Sequence, residues 1–397
     1  MDADGFFLWE RLASIDWLLW PVQGAARQTS RCGEIVEEQA VMGKVSTRCQ
    51  ACGNTTLVSQ NVAVCADCIR DDPNRVTSCV RQAQEASRQP FDLPLAPPRA
   101  PDGVTCWLCG NECRIPDGQR GFCGLRANRD GKLVHLAGTS ARGILHWYHD
   151  PLPTNCVAAW VCAGREGHGH NNLAVFYGAC TFNCLFCQNW QYRNMLSKDQ
   201  GMTAEGLADR ANSRTYCVCY FGGDPAAQML HALATSRILA ERGVRICWET
   251  NGSMHPRLLD KAVDLALDTG GCIKFDLKAR NEDLHKALTG ASNERTLHNF
   301  ARAASRVAER ADLPLLVAST LLVPGYVDAR EVGRLAAYIA ALDPEIPYSL
   351  LGFHPHFFMP DLPRTSVRHA EECEQAARDA GLVRVRIGNR HLLSRDY

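Results

Sequence analysis

Residues 178–190, with the sequence GACTFNCLFCQNW, place three cysteines within eight positions: Cys180, Cys184 and Cys187. Thiolates at this spacing can hold three irons of a [4Fe–4S] cube, whereas ordinary ferredoxin ligation supplies a fourth cysteine. None follows here at close spacing, so one iron would stay open. S-adenosylmethionine suits that iron, because its amino and carboxylate groups can chelate it and one electron can then break a C–S bond to release a 5′-deoxyadenosyl radical. Buried structural thiols are the alternative interpretation.

The chain from residue 172 onward alternates short apolar runs with segments of helical period. We expect strands at 173–177, 216–221, 244–248, 272–275, 315–323, 348–353 and 383–387. We expect helices at 203–212, 226–242, 256–267, 295–310, 329–342 and 366–380. This alternation predicts an α/β fold whose parallel strands curl into a partial (β/α) barrel.

Polar loops follow the predicted strands at their carboxyl ends, where barrels of this kind carry their chemistry. The second, third and fourth strands are followed by 222–225 (GGDP), 249–252 (ETNG) and 276–278 (DLK). Because the carboxyl ends of parallel strands meet at one edge, we expect these loops to lie beside the three cysteines. A common turn and solvated carboxylates are the alternative interpretation.

These motifs together resemble the radical SAM superfamily, and most of all its branch of pyruvate-formate-lyase-activating enzymes and AmmeMemoRadiSam proteins. Residues 222–225 are similar to the family's G-G-E-P, with Asp224 in place of the glutamate. Residues 249–252 and 276–278 resemble the D-T-N-G and D-L-K of the activases. Further similar segments are 285–293, 323–328 and 351–355. A basic residue that is typical of activases is replaced by Ser319-Thr320.

The resemblance covers the chain from about Cys106 to its end, and it implies a set of cofactor-binding residues. The set that would bind S-adenosylmethionine is Gly222, Gly223, Asp224, Glu249, Thr250, Asn251, Asp276, Lys278 and His354. Within it, Asp224 would hold the amino group and His354 would lie near the ribose. In the alternative, the carboxylates and Thr250 hold a hard cation, and His354 is a core histidine.

Two more cysteine sets precede the predicted barrel. Cys49, Cys52, Cys65 and Cys68 form two CxxC pairs at the spacing of a zinc ribbon, which predicts structural Zn²⁺. The second set is Cys106, Cys109, Cys113 and Cys123, for which zinc and a closed auxiliary iron–sulfur cluster both remain open. Cys156 and Cys162 are a further option as ligands, with buried thiols as the alternative.

Five prolines between residues 90 and 101 indicate an extended linker and a domain boundary. We therefore expect a helix and ribbon module at 1–88, a linker at 89–104, a cysteine-rich auxiliary module at 105–171 and the partial barrel at 172–397. Leu8, Leu12, Ile15 and Leu19 lie on one face of the N-terminal helix, which we expect to pack on the core or a partner.

Composition limits the partners and the compartment. The 43 Lys and Arg residues balance 43 Asp and Glu residues, so no basic field would attract nucleic acid or a membrane. Neither a signal peptide nor an apolar stretch of membrane-spanning length is evident. We expect a cytoplasmic, reducing environment, where clustered cysteines, 11 of the 20 in this chain, indicate metal rather than disulfides.

The function predicted from these features is radical chemistry on a substrate, and the resemblance implies a protein or peptide, as for a glycyl-radical activase. The resemblance also implies flavodoxin or ferredoxin as the electron donor. Radical modification of a small molecule or a nucleoside is one alternative. A non-catalytic metal-binding adaptor is the other.

Overall fold

The fold is built on a mostly parallel sheet, described by a computed structural model for residues 46–154, 156–197 and 201–397. The strands of the first half are β1 (Ser46–Arg48), β2 (Thr55–Leu57), β3 (Val104–Thr105), β4 (Arg114–Ile115), β5 (Arg126–Arg129), β6 (Lys132–His135), β7 (Gly143–Pro151) and β8 (Asn171–Tyr177). Those of the second half are β9 (Gly201–Met202), β10 (Thr215–Phe221), β11 (Arg245–Thr250), β12 (Ile273–Asp276), β13 (Leu316–Leu322), β14 (Tyr348–Gly352) and β15 (Val385–Ile387).

The α-helices in these described ranges are α1 (Ala66–Asp71), α2 (Pro73–Arg88), α3 (Ala204–Ala208), α4 (Met229–Glu241), α5 (Pro256–Thr269), α6 (Glu282–Thr289), α7 (Glu294–Ala304), α8 (Ala329–Leu342) and α9 (Val367–Asp379). Within the same ranges, no helix is both long enough and apolar enough to cross a membrane. The predicted helix around Leu8–Leu19 lies outside the described residues.

Among the described strands, nine form the main sheet, in the order β15-β14-β13-β12-β11-β10-β8-β7-β9. The pairs from β8 to β15 are parallel, and β7 pairs antiparallel with β8. The two edges, β15 and β9, do not pair with each other, so the sheet stays open. The predicted α/β class with an incompletely closed barrel is therefore confirmed.

β7 and α6 are among the elements that were not expected from the sequence. β7 has a mixed, half-buried pattern because it closes one side of the sheet as an antiparallel strand, so it lacks an apolar run. The helix α6 has only eight residues and is defined by its ends: the Asn281 side chain accepts the N–H of Leu284, and Gly290 takes φ 68°. β7 belongs to the main sheet although it falls inside the predicted 105–171 module; the domain boundaries themselves stay a prediction.

One face of the sheet packs on the helices. Trp248 of β11 is 1% exposed, stacks on Tyr220 of β10 with ring centroids 4.8 Å apart, and donates its indole N–H to the carbonyl of Ala262 in α5. Phe275 of β12 meets Phe300 of α7 edge-on at 5.4 Å. These aromatic side chains form the apolar core between sheet and helices.

The other face, which we call the inner face, is covered by a loop rather than by helices. This covering segment comprises residues 156–167, between β7 and β8. Trp160 donates its indole N–H to the hydroxyl of Ser349 on β14 at 3.1 Å, and the Ser349 hydroxyl donates to the carbonyl of Val157 at 2.9 Å. Tyr216 of β10 reaches the carbonyl of Ala163. The covering segment therefore spans the inner face from β10 to β14.

A buried histidine gives the fold a predicted pH dependence. His231 of α4 is fully buried, its Nδ1 lies 2.9 Å from the Tyr177 hydroxyl and its Nε2 lies 3.1 Å from the Met202 carbonyl. Burial lowers the pKa of His231 to about 4. The unfolded chain takes up a proton below about pH 6.5 while the folded chain does not, so stability is full above pH 6.5 and falls as the pH falls towards 4.

In the wild type, His231 should cost about 2 kcal/mol of unfolding free energy between pH 7.5 and pH 5. We expect the His231→Gln variant to lose less over the same range, because it lacks the buried imidazole. Urea titrations at the two pH values measure it. The exposed His298→Gln variant is the control and should keep the wild-type loss. An equal pH dependence in the His231→Gln variant and the wild type would contradict the assignment.

Candidate functional site

The loop that carries Cys180, Cys184 and Cys187 follows β8 at the carboxyl edge of the sheet. Its backbone is fixed by the end of α6, since the N–H of Asn183 donates to the carbonyl of Thr289 at 2.7 Å and that of Leu185 to the carbonyl of Leu288 at 2.9 Å. The N–H of Phe182 points at the sulfur of Cys180 at 3.3 Å. The loop is therefore shaped by donors and acceptors that the protein itself supplies.

Asn183 ties this loop to the N-terminal part of the chain. Its side chain is fully buried, and its amide donates to the Gln84 carbonyl oxygen at 2.8 Å and to the Ser87 hydroxyl at 2.7 Å. Both partners belong to α2, which the sequence analysis assigned to a separate ribbon module. The side-chain oxygen of Asn183 accepts from the guanidinium of Arg193 at 2.8 Å. The helix α2 thus braces the cysteine loop directly.

Buried cations surround the three thiols. Arg193 is 2% exposed, and its guanidinium lies 4.6 Å from the ring centroids of Tyr192 and of Phe357. Burial opposes its charge, but Tyr192 and the three thiols outweigh that effect and raise the pKa of Arg193. Lys278 also keeps its positive charge. Burial opposes that charge, but the nearby Asp276 and Cys184 outweigh the effect and raise the pKa of Lys278. Cations so placed suit an anionic cluster bound by the three sulfurs.

The Gly222–Asp224 loop meets the cysteine loop at the same edge. The N–H of Asp224 donates to the carbonyl of Ala179 at 2.7 Å. A Cβ atom on Gly223 would lie 2.2 Å from the carbonyl oxygen of Tyr177 and 2.4 Å from that of Ala179, and its φ is +49°. Only glycine fits this position without moving the backbone.

Asp224 joins this loop to the end of β11. Its carboxylate is 5% exposed and accepts from the Thr250 hydroxyl at 2.8 Å and from the N–H groups of Asn251 at 2.6 Å and Ala226 at 2.7 Å. Burial raises the pKa of Asp224 to about 6, against the effect of these donors. Three of about four acceptor positions of the carboxylate are occupied, which leaves one for a ligand.

Asn251 completes the contact between the loops. Its amide donates to the Thr181 hydroxyl at 2.8 Å and lies 3.7 Å from the sulfur of Cys180. Asp276 forms an ion pair with Lys278, and among the described residues its Oδ1 is buried without a hydrogen-bond partner. An orphaned carboxylate oxygen beside the cysteine loop fits a bound cofactor.

Two further predicted residues have partners of their own. Glu249 lies on the inner face, as Asp276 does, and its carboxylate is 3.5 Å from the ammonium of Lys274. His354 lies on the loop after β14, with Nδ1 3.1 Å from the carbonyl of Pro355. Lys274 was not predicted, although it alternates with Asp276 along β12 and could have been found from that period of two.

The second cysteine set is divided between two neighbouring clusters. Cys106 and Cys113 are buried in one of them, and Cys123 packs in the same cluster as Cys180 and Cys187. Burial raises the pKa of Cys109, and the charges of Cys123, Cys113 and Cys106 raise it further. Among the described residues, only the Cys49 set has its ligand atoms within 4.8 Å of one another, so the Cys106 set stays a predicted metal site.

The first cysteine set has the geometry of a closed metal site. The sulfurs of Cys49, Cys52, Cys65 and Cys68 all lie within 4.8 Å of one another, and two of the pairs are 3.9 Å apart. A tetrahedron with Zn–S bonds of about 2.3 Å has edges of about 3.8 Å. Burial opposes ionisation of Cys49, but the N–H groups of Cys52, Cys65 and Ala51 outweigh it and lower its pKa to about 6. The sulfurs therefore fit one tetrahedral ion.

The ribbon around this set docks on the loop between β13 and α8. The hydroxyl of Tyr326 accepts the N–H of Ser59 and donates to the carbonyl of Val64, both at 3.1 Å. Arg70, whose side chain is 1% exposed, pairs with Asp328 at 3.0 Å and with Glu331 at 3.7 Å. The ribbon is therefore an integrated part of the described fold.

We expect the double variant Cys49→Ser, Cys65→Ser to lose about one metal ion per chain and to unfold at a lower temperature, because a structural metal contributes folding free energy. Elemental analysis and thermal unfolding measure the two effects. Cys79→Ser in α2 is the control and should keep the metal. Unchanged metal content in the double variant would contradict the assignment.

Comparison with known proteins shows which family and which relatives this chain is similar to. Residues 174–336 match the Radical SAM superfamily. An uncharacterized protein of Methanocaldococcus jannaschii is 27% identical over 72% of this chain and 81% of its own length. The pyruvate formate-lyase 1-activating enzyme of Escherichia coli is 26% identical over 49% of this chain and 80% of its own.

The isethionate sulfite-lyase activating enzyme of Oleidesulfovibrio alaskensis is 30% identical, over 34% of this chain and 40% of its own length. The superfamily that these residues match implies a [4Fe–4S] cluster and S-adenosylmethionine. The matching residues, 174–336, begin in β8 and include the cysteine loop, and the resemblance of this chain to the radical SAM superfamily and its glycyl-radical-enzyme activases is confirmed.

Proposed function

We propose that this protein reductively cleaves S-adenosylmethionine and uses the resulting radical to take a hydrogen atom from a protein or peptide, as a glycyl-radical activase would. The observation that carries the proposal is the direct contact between the cysteine loop and the Gly222–Asp224 loop at the carboxyl edge of a radical SAM domain. In that contact, Asn251 bonds Thr181 and Asp224 bonds Ala179. A cofactor bound between the loops would touch both.

In this proposal, Cys180, Cys184 and Cys187 ligate the [4Fe–4S] cluster, while Arg193 and Lys278 offset its negative charge. When bound, the cluster and S-adenosylmethionine supply the chemistry: one electron splits the sulfonium into methionine and a 5′-deoxyadenosyl radical, which leaves as 5′-deoxyadenosine after taking a hydrogen atom. The protein's own task is to place the C5′–S bond near the open iron and to exclude water, and the bonded, buried loops support that task.

The residues proposed to hold S-adenosylmethionine differ in how far the geometry supports them. Support is strongest for Gly223, whose lack of a Cβ lets its loop lie against the carbonyls of Tyr177 and Ala179, and for Asp224 and Asn251, which bond each other beside Cys180. Gly222 and Thr250 shape the same loops. Asp276 offers its orphaned oxygen. Glu249, Lys278 and His354 stay proposals that rest on the resemblance.

The remaining assignments follow from the same proposal. The Cys49 set would hold Zn²⁺, and the Cys106 set would hold Zn²⁺ or an auxiliary iron–sulfur cluster. The electron would come from flavodoxin or ferredoxin, and the protein would act in the cytoplasm, where thiols stay reduced. Relatives named as activating enzymes of pyruvate formate-lyase and isethionate sulfite-lyase support a protein substrate.

The reaction is tested by incubating the anaerobically reconstituted protein with dithionite and S-adenosylmethionine. We expect 5′-deoxyadenosine from the wild type and from Cys373→Ala, a buried thiol in α9. The triple variant Cys180→Ala, Cys184→Ala, Cys187→Ala should form none, because no ligands remain for the cluster. Deoxyadenosine formation by the triple variant would overturn the mechanism.

Deuterium transfer then identifies the substrate class. A perdeuterated extract of the source cells is divided by size, and each fraction is added to the reaction. Deuterium in 5′-deoxyadenosine from the protein fraction supports the proposal. Deuterium only from the small-molecule fraction or from the nucleic acid fraction would favour radical modification of a metabolite or a nucleoside instead.

We expect Gly223→Ala to weaken S-adenosylmethionine binding about tenfold or more, because the added Cβ displaces the loop from the Tyr177 and Ala179 carbonyls. Gly243→Ala is the matched control: Gly243 also has positive φ, at +76°, but a Cβ there meets nothing within 4 Å. Both alanine variants place a Cβ-bearing residue at positive φ, which costs each of them about 1–2 kcal/mol of stability. Calorimetric titration should separate them, and equal affinities would refute the placement of the cofactor.

A further inference from the structure

The inner face carries a row of thiols that the proposed function does not use. Cys219 of β10 pairs in register with Cys247 of β11. Trp248 pairs with Ile273, so Cys247 lies beside Cys272, just before β12. Cys217 lies two residues before Cys219 on β10 and therefore on the same face. Neighbouring strands are about 4.8 Å apart, and the row therefore presents adjacent sulfurs on one surface.

The covering segment adds two thiols to this row. Cys156 and Cys162 pack in one cluster with Cys247 and Cys272, closed by Ala158 and Val317. Four thiols that are far apart in the sequence therefore converge in a small buried volume. Two come from rigid strands and two from a loop, which is the usual distribution of ligands in a protein metal site built around a sheet.

The loop thiols also share a local geometry with the other cysteine sets. The sulfur of Cys156 accepts the N–H of Ala158, at 3.4 Å, and that of Cys162 accepts the N–H of Gly164. In both, the donor lies two residues after the cysteine. The same turn occurs at Cys180 with Phe182. It also occurs at Cys49 with Ala51, at Cys106 with Leu108 and at Cys109 with Asn111.

These N–H donors stabilise a sulfur that carries negative charge, because a hydrogen bond to the charged form favours it. A thiol that only fills space in the core has no need of such a donor. The turn at Cys156 and Cys162 therefore marks them as thiolate positions, like the members of the cysteine sets already assigned to metals.

A buried ammonium supplies the matching positive charge. Lys274 is 1% exposed, and its Nζ lies 2.8 Å from the sulfur of Cys219 and 3.1 Å from that of Cys156. The ammonium also forms an ion pair with the carboxylate of Glu249, which is partly exposed, at 3.5 Å. A buried cation is stabilised by nearby negative charge. Thiolates bound to a metal would add such charge at the two sulfurs that it contacts.

We propose that Cys156, Cys162, Cys247 and Cys272 ligate a further thiophilic metal centre on the inner face, with Lys274 as its counter-charge. Four thiolates suit an iron–sulfur cluster. A single Zn²⁺ ion would need its four sulfurs about 3.8 Å apart, and among the described residues only the Cys49 set has ligand atoms within 4.8 Å of one another. The centre lies on the same face as Glu249 and Asp276 but further from the carboxyl edge, because Cys247 is two residues before Glu249 and Cys272 is four residues before Asp276. It therefore lies beneath the proposed S-adenosylmethionine site, and it does not depend on the proposed reaction.

The test measures iron, acid-labile sulfide and zinc per chain in anaerobically purified full-length protein. Relative to the wild type, the double variant Cys156→Ala, Cys162→Ala should lose about four irons with about four sulfides, as expected for a cubane cluster. Cys373→Ala is the matched control and should lose nothing. Unchanged iron, sulfide and zinc in the double variant would overturn the proposal.

A second measurement uses the wild type and does not require a variant to fold. The native protein is alkylated with iodoacetamide before and after metal removal by a chelator, and labelled peptides are identified by mass spectrometry. Cys156 and Cys162 are partly exposed, so a bound metal should protect them and its removal should expose them to labelling. Equal labelling before and after metal removal would likewise overturn the proposal.

Discussion

The buried amide of Asn183 is the constraint on which the rest of the site depends. A loop that must present three thiols away from water cannot leave its own polar groups unpaired, because each orphaned group costs stability. Asn183 meets that requirement by bonding Gln84, Ser87 and Arg193 at once. Since Gln84 and Ser87 belong to α2, the cysteine loop can adopt this shape only when the N-terminal region is docked.

This coupling gives the ribbon a structural role that its zinc-like geometry alone does not reveal. Arg70 anchors the ribbon on Asp328 and Glu331, and Tyr326 bonds both Ser59 and Val64. The ribbon is thus fixed to the loop after β13, and α2 continues from it to the cysteine loop. A metal that stabilises the ribbon would therefore also stabilise the cysteine loop at the carboxyl edge of the sheet.

The two faces of the sheet carry different side chains, apolar and aromatic on one face and thiols with charged groups on the other. Trp248, Tyr220 and Phe275 pack against helices and form an apolar core. On the opposite face, Lys274 and Glu249 lie among thiols under a covering loop. Because side chains alternate along a strand, one short strand such as β11 serves both faces, with Trp248 on one and Glu249 on the other.

From β8 onward, the sequence by itself determined most of the strands and helices, since apolar period and length are local properties: the strand expected at 348–353 is Tyr348–Gly352, and the helix expected at 329–342 is Ala329–Leu342. It also determined the three cysteine sets, because their ligands are close along the chain. Only the tertiary structure decided that β7 joins the sheet, that α2 braces Asn183, and that Cys156 meets Lys274, 118 positions away. Those contacts depend on register and on how the covering segment folds back, which no local pattern encodes.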